Sequence, residues 1–288
     1  MKQYTSLYFV GAGGIGMSAL VRYFLAKGYK VAGYDRTQSP LTTELKAEGL
    51  EIVYEESVES IPDYCRNLET TLVVYTPAIP ASHAGLVYFR EHGFRVVKRA
   101  ELLGLITQSS KGLCFAGTHG KTTTSSMAAH IFHESPIGCN AFLGGILRNY
   151  NSNLILSEQS PFTVIEADEY DRSFHWLHPY MAVVTATDPD HLDIYGTEEA
   201  YLESFAHFTS LIQPGGCLIM KKGIKLVPNV KEGVKIYTYS ARDGGDFYAG
   251  NIRIGDGTIV FDFVMPEGCV ADIELGVPVE INIENAVA

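Results

Sequence analysis

Nowhere does the sequence approach the ~18 unbroken apolar residues of a membrane-spanning helix, so no span and no membrane partner are expected. Basic clusters are missing as well. The 288 residues carry 22 Lys and Arg against 33 Asp and Glu, a formal net charge of −11. Nucleic acids and anionic membranes bind to basic patches, so neither is an expected partner. Anionic small molecules stay open, because one local cation or bound metal can overrule the global sign. Cysteine is sparse and unpatterned. Cys65, Cys114, Cys139, Cys217 and Cys269 form no C-x-x-C pair, which excludes a disulfide framework or zinc site and predicts reduced, mostly buried thiols. Low-complexity segments are absent too. The apolar start at 7–10 is no secretory leader, since it runs into Gly11, Gly13, Gly14 and Gly16 and no small-residue cleavage site follows. What remains is a cytoplasmic globular chain, 46% hydrophobic and 19% charged, long enough for two ordinary cores.

Strand-like runs at 7–10, 30–34 and 72–75 alternate with helical spacing at 18–26, 42–48 and 84–92. Such β-α-β alternation predicts a parallel, Rossmann-like sheet. A second block repeats the pattern, with strands at 113–116, 163–165, 181–184 and 217–220 and helices at 121–133 and 201–211. From about Val234 short strands and turns, at 243–245, 255–257 and 266–268, predict an appended small β-sheet. The polar stretch 107–111 marks the expected boundary, giving a first domain at 1–108 and a P-loop ATPase-type α/β domain at 109–288.

The first glycine-rich loop, Gly11-Ala12-Gly13-Gly14-Ile15-Gly16, lies between a strand and a helix, with Asp35 at the end of the next strand. Gly11 permits the tight turn, Gly13 lets the backbone approach a diphosphate, and Gly16 allows close helix packing. Asp35 stands where an acid commonly meets a ribose hydroxyl. NAD, another diphosphate-bearing nucleotide and a turn with no ligand all satisfy this pattern. A second loop from Thr76 to Pro80 follows a strand at the same edge and reads equally as a proline-stiffened connector.

The second loop is more specific. Gly117-Thr118-His119-Gly120-Lys121-Thr122-Thr123 joins a strand to a helix. Backbone N–H groups of such a turn cradle phosphates, the lysine reaches the β- and γ-phosphates, and the threonine hydroxyl ligates Mg2+. Phe115 stands where a strict Walker A pattern has glycine. An oxidoreductase leaves this loop unexplained, and a simple kinase leaves the first one unexplained.

Past the strand at 163–165 come Glu166, Asp168, Glu169 and Asp171. Carboxylates this dense repel one another, and a divalent cation relieves that. Glu166, right at the strand end, is the expected ligand, while Glu169, Asp171 and Asp193 read as a solvated acidic loop. His191, in Asp188-Pro189-Asp190-His191-Leu192-Asp193, suits metal or phosphate contact and a structural role equally. His83, His92, His130, His133, His175, His178 and His207 have no comparable setting, and Trp176 with Phe174 and Leu177 is expected in the core.

Taken together these segments resemble the Mur ligases of bacterial cell-wall synthesis. The ATP-type loop at 117–123, the acidic segment 166–174, Asp190-His191-Leu192-Asp193 with Tyr195, and Asn282 with Asn285-Ala286 look like four ordered motifs of that family. Two positions depart from it. Thr185-Ala186-Thr187-Asp188 replaces the usual Thr-Asn-Ile-Glu, and Ile281-Asn282 replaces His-Asn. The resemblance implies an ATP- and Mg2+-dependent ligase that joins an amino acid to a UDP-sugar through an acyl phosphate. The first loop looks most like that of the branch adding L-alanine to UDP-N-acetylmuramate. The murein-peptide recycling branch and a fragment that binds nucleotides without catalysis are the alternatives.

By the same resemblance, Lys121, Glu166 and His191 would carry catalysis, and Thr122, Glu166 and His191 the metal. Gly117, Thr118, His119, Gly120, Lys121, Thr122, Thr123, Asn282 and Asn285 would hold ATP. Gly11, Gly13, Gly14, Gly16, Asp35 and Thr76 would hold the UDP-sugar. The family's third domain, which helps bind the amino acid, is expected outside these residues, since Asn285-Ala286-Val287-Ala288 reads as the opening of a helix. The sequence is silent on oligomeric state.

Overall fold

The structure is a computed structural model and describes residues 3–242 and 244–288, so Asp243, in one of the expected turns, lies outside the described residues. The chain divides into two compact units, 1–106 with 142–156, and 107–141 with 157–288.

In the first unit β1 (Ser6–Val10), α1 (Ile15–Ala26), β2 (Lys30–Tyr34), α2 (Pro40–Ala47) and β3 (Glu51–Val53) run in sequence, followed by β4 (Thr71–Tyr75), α3 (Ala84–Glu91), β5 (Arg95–Lys98) and α4 (Arg99–Thr107). The sheet is wholly parallel, in the order β3-β2-β1-β4-β5. β1 is buried along its whole length, as a central parallel strand must be. Met17, Leu20, Val21 and Phe24 give α1 its buried stripe at helical spacing. Ser39 caps α2 in a reciprocal box with Thr42, and Pro40 takes the first helical position, where its missing N–H costs nothing. The chain leaves β1 toward β3 and returns to β4, so the strand order reverses between β1 and β4. Open α/β sheets bind ligands at the carboxyl ends beside such a reversal.

The second unit carries β6 (Lys111–Ala116) and α5 (Lys121–Glu134). β7 (Asn140–Leu147) and β8 (Ser152–Ile155) follow in the chain, residues 142–156 counting with the first unit, and the second unit resumes with β9 (Phe162–Glu166), β10 (Pro179–Val184), α6 (Leu192–Tyr195), α7 (Glu198–Ser210) and β11 (Cys217–Lys221). β12 (Lys235–Ser240), β13 (Phe247–Gly255), β14 (Thr258–Met265), β15 (Gly268–Glu274) and α8 (Ile281–Val287) complete it. Within the second unit the strands lie in the order β15-β14-β13-β12-β11-β10-β6-β9. Pairing is parallel from β9 through β6, β10, β11 and β12 to β13, and antiparallel for β13-β14-β15. The expected appended strands thus continue one sheet. β6 lies between β9 and β10, so its carboxyl end is the second reversal point. Phe174 and Leu177 are buried, but Trp176 is 46% exposed, which corrects the expectation of a core tryptophan. Among the described residues, no helix is long and apolar enough to cross a membrane.

Candidate active site

Both glycine-rich loops fall at the reversal points. In the first unit Val10 pairs with Tyr75, so Gly11 and Thr76 emerge side by side. Gly11 has φ +90°, and a Cβ there would stand 2.6 Å from Thr76 Cγ2. Only glycine fits the turn. Gly14 caps α1 without any side-chain hydrogen bond, which leaves the helix N-terminus open to an acceptor. The Asp35 carboxylate is already engaged, accepting from the Gly13 N–H at 2.7 Å and the Thr37 N–H at 3.0 Å. Asp35 therefore fixes the loop itself.

Two further residues of this unit were not foreseen. The Arg99 guanidinium lies over Gly16, its Nη1 2.9 Å from where a Cβ would be, and supplies a cation beside the loop. Asn153 Nδ2 donates to Ile15 O at 2.5 Å and to Ser18 Oγ at 3.3 Å, securing the first turn of α1. Arginine opening a helix and asparagine in a short strand give no signal of their own in a sequence.

In the second unit β6 delivers Ala116 between the ends of β9 and β10. Gly117 has φ +133°, and its absent Cβ leaves room for the Thr185 hydroxyl and the Ala186 amide nitrogen. The Thr118 N–H donates to Ala186 O at 3.1 Å. Position 186, where alanine replaces the family's amide, meets the loop through its backbone. Thr118 Oγ1 contacts Asp188 O at 2.7 Å and the Tyr201 hydroxyl at 2.9 Å. Burial pushes the Tyr201 phenol well above its ordinary value, so it stays protonated. The exposed His119 offers its carbonyl to the Thr185 hydroxyl. Gly120, left-handed at φ +85°, caps α5 with no side-chain hydrogen bond, so this N-terminus too is open to an acceptor.

Lys121 Nζ donates to Gly117 O at 2.7 Å and meets both Glu169 oxygens, at 2.9 and 2.8 Å. Thr122 Oγ1 donates to Glu166 Oε1 at 2.9 Å, placing a hydroxyl and a carboxylate side by side. Thr123 is half-buried on the first turn of α5. From α8, Asn285 Oδ1 accepts from Thr124 Oγ1 at 3.4 Å, and its Nδ2 reaches Asn282 Oδ1 at 3.2 Å. Asn285 Oδ1 would also lie 2.8 Å from a Cβ on Gly120, so α8 abuts the loop. Beside the loop opens a cavity of about 300 Å³, lined by Ala186, Asp188, Lys221, Lys222 and Lys225.

Not every expected ligand converges. His191 has a left-handed backbone, φ 52°, and takes its amide to Asp190 Oδ1 at 2.7 Å while its ring meets Tyr170 edge-on at 5.2 Å. Among the described residues no three His, Cys, Asp or Glu side chains gather as a metal cage. Asp171 and Asp193 are exposed, as a solvated acidic loop requires. Glu169 is the correction: it is 1% exposed and paired with Lys121. Its charge is buried because the lysine compensates it, a long-range pairing that no local pattern announces.

Each loop lies within a matched domain. Residues 6–111 match the Mur ligase family catalytic domain and residues 115–288 the Mur ligase middle domain. The chain is 67% identical, over its whole length, to the UDP-N-acetylmuramate–L-alanine ligase of Parabacteroides distasonis, of which it covers 62%. Against the enzyme of the same name from Phocaeicola vulgatus it is 66% identical over 98% of its length, again covering 62% of the relative. The chain thus spans less than two thirds of these relatives. A solved UDP-N-acetylmuramate:L-alanyl-γ-D-glutamyl-meso-diaminopimelate ligase from Neisseria meningitides superposes with TM-score 0.83 and 21% identity, covering 99% of this chain and 91% of that one. The UDP-N-acetylmuramate–alanine ligase of Thermotoga maritima gives TM-score 0.80 and 24% identity, covering 98% and 63%. At such identities the superpositions establish the fold alone, while the domain matches reach from residue 6 to residue 288 and place the chain in the Mur ligase family.

Proposed function

We propose that this chain is the UDP-sugar- and ATP-binding part of a cytoplasmic ligase that joins L-alanine to UDP-N-acetylmuramate. The observation that carries the reading is 67% identity along all 288 residues to an enzyme of that name. In this proposal residues 1–108 take the UDP-sugar at Gly11, Gly13, Gly14, Gly16 and Thr76, with Asp35 holding the loop. Residues 109–288 take ATP on the loop at 117–123, with Asn282 and Asn285 on the adenine side. The amino acid is read by the part of the relatives that this chain does not cover.

A muramate carboxylate oxygen attacks the γ-phosphorus, the bond to the ADP oxygen breaks, and an acyl phosphate forms. The alanine amine then attacks the acyl carbon, loses a proton and expels phosphate, leaving an amide. Both the carboxylate and the triphosphate are anionic, so the chain must supply positive potential where they meet. Lys121 and the uncapped N-terminus of α5 supply it. Thr122 and Glu166 present the two hard oxygens that suit Mg2+, which commonly completes its shell with water and phosphate oxygens and would neutralise phosphate charge there. His191 would serve a second metal from the loop after β10.

Calorimetric titration tests the assignment. UDP-N-acetylmuramate and a Mg2+–ATP analogue should each bind saturably and NADH should not, and Lys121→Ala should remove the nucleotide response alone. Binding of NADH in place of the UDP-sugar would overturn the ligase reading. In an enzyme of the relatives' full length, turnover with a tripeptide and not with L-alanine would assign the recycling branch.

A further inference from the structure

The lysine of the ATP loop is not a free arm. Its side chain is 14% exposed and its ammonium is shared between Gly117 O and a carboxylate that is itself buried. We propose that Glu169 is the positioning residue of this loop, holding Lys121 so that one ammonium N–H remains directed at the incoming phosphate. The inference rests on the ATP reading above.

An ammonium has three N–H donors. One is aimed at Gly117 O, 2.7 Å away, and one at Glu169 Oε1, 2.9 Å away. Glu169 Oε2 lies only 2.8 Å from Nζ yet receives no directed hydrogen bond. Two donors are therefore committed, and among the described residues Nζ makes no hydrogen bond to any residue other than Gly117 and Glu169. Two fixed points on one nitrogen define where the third donor points.

Glu169 is itself held on several sides. The Tyr195 hydroxyl donates to its carbonyl at 2.5 Å, and the Arg172 N–H reaches the same oxygen at 3.0 Å. Asp171 and Arg172 turn the chain through left-handed backbone, φ 51° and 53°, immediately beyond it. The Arg172 guanidinium covers the Tyr195 ring at 4.8 Å. Tyr195 meets Tyr201 edge-on at 4.9 Å, and Tyr201 holds Thr118. One aromatic pair thus secures both the loop and the carboxylate that aligns its lysine.

Stability alone is a poor reason for this arrangement, because a buried ion pair is commonly replaced by apolar residues without loss. A fixed anion beside the seat of a polyphosphate also opposes substrate binding. That cost is recovered where the position of the ammonium matters more than its net charge.

The two effects separate by substitution. In Glu169→Gln the opposing charge is gone but the fixed geometry is weakened. The chain should bind a Mg2+–ATP analogue about 3- to 10-fold more tightly. In an enzyme of full length, turnover per bound nucleotide should fall roughly tenfold or more, since reach and alignment are lost. Glu169→Asp keeps the charge one methylene further away, so turnover should fall without tighter binding. Titration stoichiometry corrects both variants for any misfolded fraction. A purely structural carboxylate would lower the melting temperature and stoichiometry and leave affinity at or below the wild-type value. Wild-type or weaker affinity in Glu169→Gln, or unchanged turnover per site, overturns the proposal. If the wild-type chain binds no nucleotide, the ATP reading falls and takes this inference with it; if it binds and Glu169→Gln changes nothing, only the inference falls.

Discussion

Replacing Gly117 by alanine adds one methyl group at a point where the second unit has little room for it. At φ +133° a non-glycine residue costs ~1–3 kcal/mol of backbone strain. The added Cβ would also stand 2.7 Å from the Ala186 amide nitrogen and 2.9 Å from that of Thr185, and inside the Thr185 hydroxyl. These atoms cannot retreat cheaply. The Thr185 N–H is bonded to Ala116 O at 2.9 Å, and its hydroxyl to the Ala116 and His119 carbonyls. Parting the ends of β6 and β10 adds an overpacking cost of ~1–3 kcal/mol. The expected total is about 4 kcal/mol, a large share of a domain's usual stability. Trp176, the only tryptophan, lies in the second unit and reports its unfolding in urea. With a slope of roughly 2.5 kcal/mol/M, the midpoint should fall by ~1.5 M. Gly14→Ala is the control. Its φ is −68°, the nearest atoms to a Cβ are 3.9 Å away, and it belongs to the first unit. There only a cap preference of ~1 kcal/mol is at stake, and the tryptophan transition should not move. A shift below ~0.4 M for Gly117→Ala would refute the steric argument, as would equal shifts in the two variants.

Thiol labelling at pH 8 should modify Cys269 quickly and Cys217 slowly. Cys65, Cys114 and Cys139 are buried, and burial pushes their thiols up, to about 12 for Cys65 and about 11 for Cys139; fast labelling of any of them in the native chain would contradict the fold. Burial also lowers the pKa of His175, whose ring stacks on Phe174 and bonds Ser204, so the folded state holds it neutral. A depressed histidine costs stability once the unfolded chain takes up a proton, that is, as pH falls through ~6.5 toward the lower folded value. His175→Gln should therefore flatten the loss of melting temperature between about pH 7 and pH 5, and an unchanged slope would remove His175 from that account. Glu166→Gln should raise the Mg2+ concentration needed for half-maximal nucleotide binding at least ~10-fold, whereas Glu169→Gln should not, and equal Mg2+ curves would deny Glu166 its metal.

The alternation that identifies a doubly wound chain survives translation into structure because it rests on burial. Residues 7–10, 30–34 and 72–75 are apolar runs since a central parallel strand is covered on both faces, and all three are strands. Boundaries fared worse where glycine intervened. α1 begins at Ile15, three residues before the expected start, because an uncapped Gly14 opens the helix and leaves no polar marker. β7 and β8 went unforeseen because Gly144, Gly145 and a scatter of asparagines hide any alternation, and by contacts residues 142–156 join the first unit although they follow α5 in the chain.

The site divides along the same line. Its backbone features were legible, because a glycine-rich strand-to-helix junction is written locally, and the chain passes from strand to helix at Gly11 to Gly16 and at Gly117 to Lys121. Partnerships across the chain were not. Glu166 and Glu169 are three residues apart, of one chemistry and in one acidic run, yet one ends a strand beside the Thr122 hydroxyl and the other is buried against the Lys121 ammonium. What separates them is the turn after Glu169, where two consecutive left-handed residues reverse the chain and Tyr195, from a helix some twenty-five residues on, closes over it. A short run of carboxylates states that charge must be compensated; only the fold decides which one meets the lysine.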